Sequence, residues 1–265
     1  MKNDDKPTGI ALRRRDTLKI LGVGGAAFLA AYSNRGMTPF EAEGRSTTPT
    51  PIDCVIRPEL PTGPYFVDNQ LNRSDLRSDP LEGNLSIGVP LFLKIVVFDV
   101  ANKSCTALAG ARVDVWHCDY MGIYSGIEQR GFNTLGQKFL RGYQITDARG
   151  IVEFRTIYPG WYSGRTVHIH VKIRTKAPDG QDFEFTSQLF FEDRLTDHVH
   201  AQKPYVKKGK RDTRNADDNL FKKSGSQLML KHSGNLESGI KTSINIGLDL
   251  NDIKVGAPDL SGPLP

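Results

Sequence analysis

Two histidines stand one residue apart at His168 and His170, inside the alternating run TVHIHVKIR of residues 166–174. Positions i and i+2 of a strand face the same side, so the two imidazoles project together, at a spacing suited to one metal ion. The pattern is weak alone, because alternation places many polar pairs on solvent faces. Its neighbours strengthen it. The turn-rich loop PGWYSGR of residues 159–165 brings Tyr162 and Arg165 within six residues of His168, and the stretch WHCDYMGIYS of residues 116–125 places Tyr124 after a strand end. Gln188 lies in the following strand. A second histidine pair, His198-Val199-His200, follows Asp193 and Asp197. With His168, His170 and a carboxylate it would build a zinc or copper site, but it lacks Tyr or Arg neighbours and reads as solvated loop. His117, beside Trp116 on a strand, fits a structural hydrogen-bonding role. The basic run Lys207-Lys208-Gly209-Lys210-Arg211 is flanked by Asp212, Asp217 and Asp218 and reads as a solvated loop rather than a nucleic-acid patch.

The elements that must position these residues are short strands. Residues 90–100 (PLFLKIVVFDV) are dense in β-branched and aromatic residues and read as a buried strand. Residues 111–117 alternate, with Ala111, Val113 and Val115 on one face. Asp147-Ala148-Arg149-Gly150 is a turn between two short strands, the second being Ile151–Ile157. In residues 166–174, Val167, Ile169, Val171 and Ile173 face one way; Thr166, His168, His170 and Lys172 face the other. Residues 183–191 form a further strand, and two more are expected near 226–232 and 239–248. Segment 192–224 is polar and loop-like, with at most a short helix. No internal repeat and no long helical periodicity is visible. Many short strands between turn signals predict an all-β fold, a β-sandwich with long connecting loops and few short helices.

The chain has 265 residues, 26 of them Gly and 15 Pro, and is long enough for one sizeable core. Its net charge of +5 is concentrated at one end: residues 1–36 hold seven Lys/Arg and three Asp/Glu, leaving 28 basic and 27 acidic residues elsewhere. The body therefore gives no argument for nucleic-acid binding. Arg13-Arg14-Arg15 precedes Leu18-Lys19 and a short Gly/Ala-rich apolar run, a pattern similar to a twin-arginine signal. An ordinary secretory signal or a membrane anchor is the alternative. Residues 1–36 are read as this signal segment, 37–51 as a Pro/Thr-rich linker and 52–265 as one domain; the signal implies partnership with the twin-arginine export machinery and a periplasmic or secreted location. Of the three cysteines, Cys54, Cys105 and Cys118, any pair could bridge in an oxidising compartment; Cys54–Cys105 is favoured, with Cys118 in a strand.

Three stretches together resemble the intradiol ring-cleavage dioxygenases, the family of catechol 1,2-dioxygenase and protocatechuate 3,4-dioxygenase. They are VDVWHCDYMGIYS, FLRGYQITDARGIVEFRTIYPGWYSGRTVHIH and, more loosely, PELPTGPYF. They run in the family's order over roughly residues 53–190. The WHC segment and Arg73-Ser74-Asp75-Leu76-Arg77 bring the chain closest to the exported single-domain type. The resemblance implies a non-haem Fe(3+) held by Tyr124, Tyr162, His168 and His170, and cleavage of a catechol-type ring by O2 to a cis,cis-muconate-type diacid. It implies catalytic roles for Arg165, which would stabilise charge on the ring, for Tyr162, which would serve as base and leaving ligand, and for Gln188, which would position Arg165 or the ring. It places Pro64 and Tyr65 in the substrate pocket. The oligomeric state stays open, a homodimer among the options. The helical linker domain through which catechol 1,2-dioxygenases dimerise has no counterpart in the sequence, so that dimer is not carried over.

The residue types suit that chemistry. Ferric iron is hard and prefers anionic oxygen donors, and a phenol with an ordinary pKa near 10 ionises readily against a trivalent cation. Two rival readings remain at the level of sequence. One is a ferrous oxygenase built on His168, His170 and Glu184 or Asp193, which would leave the tyrosines unexplained. The other is an exported β-sandwich that binds aromatic ligands or a partner without catalysis.

Overall fold

The computed structural model describes residues 54–252 except 102, 103 and 130; the signal segment and linker expected at 1–51 lie outside them. Strand β1 (Pro90–Ala101) is the hub of a five-stranded sheet. Its PLFLKIVVFDVA sequence buries Leu91, Leu93, Ile95 and Val97 on one face, as a half-covered strand must. It pairs antiparallel with β2 (Ser104–Ala107) and β7 (Ile151–Ile157), and parallel with the last described strand, β11 (Gly239–Leu248). Edge strand β10 (Lys231–Asn235) completes this layer. The second layer has the order β6-β3-β8-β9, from Arg141–Ile145, Arg112–Trp116, His168–Lys176 and Asp182–Phe190. The small hairpin β4–β5 (Glu128–Gln129, Phe132–Asn133) lies in a loop.

The two sheets share one core. Leu91, Leu93, Ile95, Val152, Phe154, Ile244 and Ile246 from the first pack with Val113, Val115, Ile169, Val171, Ile173 and Phe185 from the second. The opposite face of the second sheet is also covered. Leu60 donates its amide to Thr186 O (3.0 Å) and Tyr143 donates to Leu71 O (2.8 Å), so the segment before β1 lies across it. Polar residues on that face are thus under a roof rather than in solvent, and β8 is buried on both sides from His168 to Ile173.

The predicted all-β sandwich and most strand positions agree with the structure, and three expectations are corrected. The strand expected at 226–232 begins only at Lys231; Leu228 packs on Phe190 and Leu60 from a 3₁₀ turn (Gly225–Leu228). The segment read as loop, 192–224, holds two short helices, α1 (Asp193–His200) and α2 (Asn219–Ser224), and a 3₁₀ turn at Tyr205–Lys208. Both helices are too short to show apolar periodicity. Nor is the basic run solvated throughout: the Arg211 side chain is 5% exposed and bonds Asp193 and Asp197.

Cys54 and Cys105 form a disulfide across 51 residues of sequence, tying the start of the roof to edge strand β2, and Cys118 is a buried free thiol. Closing a loop of that length limits the unfolded chain by up to about 4 kcal/mol. Cys105→Ser is expected to lower unfolding stability by about 2–4 kcal/mol, read as a reduced urea midpoint together with a steeper slope, since the unbridged unfolded chain is less compact. An unchanged midpoint would show that the bridge contributes nothing.

Candidate active site

The register of the second sheet builds the site. Arg141 lies opposite Trp116, Trp116 opposite His170, and His170 opposite Gln188, giving one row across all four strands. His168 stands on the same face of β8, two residues earlier. Trp116 stacks on the His170 ring at 4.8 Å and 7°, fixing its plane. An added Cβ at Gly63 would meet His170 Cε1 at 3.4 Å, so the roof is seated directly on that imidazole.

Two loops bring the tyrosines over this row. In the first, the Asp119 carboxylate accepts from the amides of Met121 (2.8 Å) and Ile123 (2.9 Å), Thr134 Oγ1 donates to Tyr124 O (2.7 Å), and Arg141 Nε donates to Ser125 Oγ (2.8 Å). Tyr124 is 1% exposed. In the second, Tyr162 follows Trp161, whose ring lies 4.7 Å from Lys208 Nζ. Lys208 also donates to Met121 O, which joins the two loops. They meet so closely that a Cβ at Gly160 would overlap the carbonyl of Asp119, and one at Gly122 that of Trp161.

Gly122→Ala tests this interlock. Gly122 has φ +82°, which costs a non-glycine residue about 1–2 kcal/mol, and overlap with the Trp161 carbonyl adds to it. A loss of at least about 2 kcal/mol by chemical denaturation is expected. Gly110→Ala is the control, since its φ of +79° carries the same conformational cost with open space around it. Equal losses in the two variants would remove the interlock from the explanation.

Four polar atoms converge between the loops and the row. Tyr162 Oη is 3.1 Å from His168 Nε2, His168 Nε2 is 3.1 Å from His170 Nε2, and His170 Nε2 is 3.2 Å from Tyr124 Oη. His168 Nδ1 lies 2.7 Å from Thr166 O, a carbonyl that only accepts, so Nδ1 carries the proton and Nε2 presents its lone pair to the cluster. His170 Nδ1 is buried without a partner among the described residues. Burial, then the Arg165 cation, pushes the His168 pKa down to about 3, and burial followed by His168 puts that of His170 well below the ordinary range. Both rings are therefore neutral. Burial holds both phenols above their ordinary pKa. Neutral imidazoles, that of His168 with its Nε2 lone pair turned inward, and phenols that ionise only against a cation form a donor set matched to a metal ion, and steps of about 3 Å suit donors sharing one ion through bonds of about 2 Å.

The remaining expected residues are close by. Arg165 donates through Nη2 to Gln188 Oε1, and Gln188 Nε2 donates to Pro61 O (2.9 Å). Tyr65 stacks on Tyr124 at 4.4 Å and meets Tyr162 edge-on at 6.1 Å, while Pro64 beside it is exposed. The structure thus brings together Tyr124, Tyr162, His168, His170, Arg165, Gln188 and Tyr65. It does not bring in the carboxylates of the ferrous reading: Glu184 accepts from Lys172, and Asp193 pairs with Arg211. Among the described residues no cluster of three or more His, Cys, Asp or Glu suits a metal ion. The second histidine pair is helical rather than solvated loop. Residues i and i+2 of a helix point about 200° apart, and His200 Nε2 donates to Pro159 O at 3.0 Å. His117 has the structural role expected of it, bonded to Thr156 Oγ1 (2.7 Å) and Cys118 O (2.8 Å).

Sequence reasoning missed Arg141, Lys208 and Asp218. Burial alone would raise the Asp218 carboxyl, but the Arg165 cation and the amides of Phe221 and Thr166 hold it below the ordinary carboxylate range. None of the three had a sequence signal: the register that sets Arg141 opposite Trp116 exists only in the folded sheet, and Lys208 and Asp218 sit in a polar stretch without periodicity. A groove of about 610 Å³ on the outer face of the first sheet, beside Phe92, Lys94, Arg155 and Lys241, involves none of the site residues.

Residues 61–215 match the family described as Dioxygenase. A chlorocatechol 1,2-dioxygenase of Pseudomonas putida is 34% identical over 104 residues, 32% of this chain and 36% of that protein, so the match spans about a third of that relative's length. Among solved structures, an intradiol ring-cleavage dioxygenase from Tetranychus urticae superposes with a TM-score of 0.64 at 29% identity, covering 75% of this chain and 96% of that one. The dioxygenase domain of a dioxygenase–carbohydrate-binding protein fusion from Streptomyces sp. SirexAA-E gives 0.51 at 30% identity, covering 74% and 99%.

Proposed function

The chain belongs to the intradiol ring-cleavage dioxygenase family, and from that premise we propose that it binds a non-haem ferric ion and opens a catechol-type ring with O2. Both oxygen atoms enter the product, a cis,cis-muconate-type diacid, so no external reductant is needed. The observation that carries this reading is the convergence of two phenol oxygens and two imidazole nitrogens in steps of 3.1, 3.1 and 3.2 Å. Tyr124, Tyr162, His168 and His170 would hold the ion, whose Lewis acidity would bind the deprotonated ring and prepare it for attack by O2.

The chain's own groups divide the remaining work. The Tyr124 loop is fixed by Thr134, which donates to the Tyr124 carbonyl, and by Arg141, which donates to the Ser125 carbonyl, and Tyr124 is buried, whereas Tyr162 is only half-buried beside His168 and Tyr124. Tyr162 Oη is therefore the group free to take a proton from an incoming hydroxyl. Arg165 faces developing negative charge with a pre-oriented guanidinium, a contribution that costs little reorganisation in a water-poor site. Gln188 holds that guanidinium, and Tyr65 gives the ring an aromatic wall. Export is part of the proposal: the disulfide suits an oxidising compartment, and residues 13–19 resemble a twin-arginine signal.

The test is a visible spectrum of iron-loaded protein. A tyrosinate-to-iron charge-transfer band is expected, moving to longer wavelength on anaerobic addition of catechol and bleaching when O2 is admitted, with a muconate as product. Iron-loaded protein that stays colourless and inert would overturn the proposal and bring forward the non-catalytic binding module.

A further inference from the structure

We propose that Asp218 is the positioning residue for Arg165, linking the aim of that guanidinium to helix α2. The inference rests on the reading of the site given above. Asp218 lies beyond the stretch 61–215 that matches the family. Its side chain is 0% exposed, and that of Arg165 is 21% exposed. Oδ2 accepts from Arg165 Nε at 2.7 Å and from the Thr166 amide at 2.9 Å. Oδ1 accepts from the amides of Leu220 (2.7 Å) and Phe221 (2.9 Å), capping α2. Both oxygens are thus occupied, one by the site and one by the helix.

A guanidinium is planar, so fixing two of its nitrogens fixes the third. Asp218 holds Nε and Gln188 holds Nη2. Nη1 has no partner among the described residues and is the corner left for an anionic ligand. Without Asp218 the long side chain recovers rotamer freedom and loses its aim. The same carboxylate reaches a candidate ligand through one residue, because the Thr166 carbonyl accepts from His168 Nδ1.

Asp218→Asn and Asp218→Ser separate positioning from folding. Both replacements keep a capping oxygen for α2 and remove the anion from Arg165. Each is expected to lower kcat about 10–100-fold, as small misplacements of catalytic groups do, with KM for catechol within about threefold and iron content and visible band unchanged. In an Arg165→Met background the same substitutions should cost almost nothing, since their target is gone. Full kcat in both single variants, or an undiminished loss in the Arg165→Met background, overturns the proposal. A nitrogen-15 spectrum of the wild-type protein needs no variant: a protected Arg165 Nε–H resonance is expected, and free exchange with solvent overturns the assignment. Wild-type turnover is the control for the functional reading. If the wild type cleaves no catechol, that reading fails, and the same cycle run on anaerobic 4-nitrocatechol affinity decides the role of Asp218.

Discussion

His170→Ala is expected to abolish the proposed iron binding and ring cleavage together. His170 sits inside the chain of donors, with His168 Nε2 at 3.1 Å on one side and Tyr124 Oη at 3.2 Å on the other, so its loss cuts the set in two. Outer partners of metal ligands already cost about 10–100-fold in affinity or activity, and removing a ligand should exceed that. His170 is 1% exposed and stacked on Trp116. His117→Ala is the matched control. It removes a buried histidine nearby whose partners are Thr156 and Cys118, so it should lower stability while iron per chain stays near wild type. Metal analysis after dialysis and turnover assays read both variants. Retention of one iron with activity within about tenfold of wild type in His170→Ala would remove His170 from the ligand set.

Arg165→Met should separate chemistry from metal binding. Arg165 lies beside the cluster without belonging to it, held by Asp218 and Gln188. Its loss should leave the charge-transfer band and iron content in place and lower kcat by about 10²–10³-fold, the range for removing one preorganised electrostatic group. The buried Asp218 carboxylate would lose its cation, so some stability should also go, by about 1–3 kcal/mol. Single-turnover decay of the coloured catechol complex after mixing with O2 isolates the step. Decay within about threefold of wild type would show that Arg165 carries no charge of the reacting ring.

What could be read from sequence followed from local rules. Alternation in TVHIHVKIR put His168 and His170 on one face, and β-branched runs located β1, β7 and β11, because strand period and composition are short-range signals. The tyrosines could be placed only by resemblance. Tyr124 and Tyr162 are 38 residues apart in loops whose approach depends on Gly122 and Gly160 clearing opposing carbonyls, which no local pattern reports. Asp218 was set aside as a solvated neighbour of a basic run, yet it is buried because Arg165 and the end of α2 converge on it. Its role lies in a partner 53 residues earlier. The roof over β8 was missed for the same reason: segment 54–72 has no strong periodicity, and its hold on the sheet comes from isolated bonds such as Leu60 N to Thr186 O.

The parallel pairing of β1 with β11 has a consequence for how the molecule comes into being. Nine successive residues, Leu91–Asp99, find their partners at Ile240–Leu248, about 149 positions later. Until that last strand exists, the central strand of its sheet has one bare edge, and the hydrophobic face behind it is incomplete. Non-local pairing of this kind slows folding, and an uncovered edge invites pairing with another chain. A product cut short of Gly239 would lack the strand that covers this edge and should aggregate rather than persist as a smaller folded protein. The shared core, and with it the support beneath the donor set on β8, is complete only once β11 is in place.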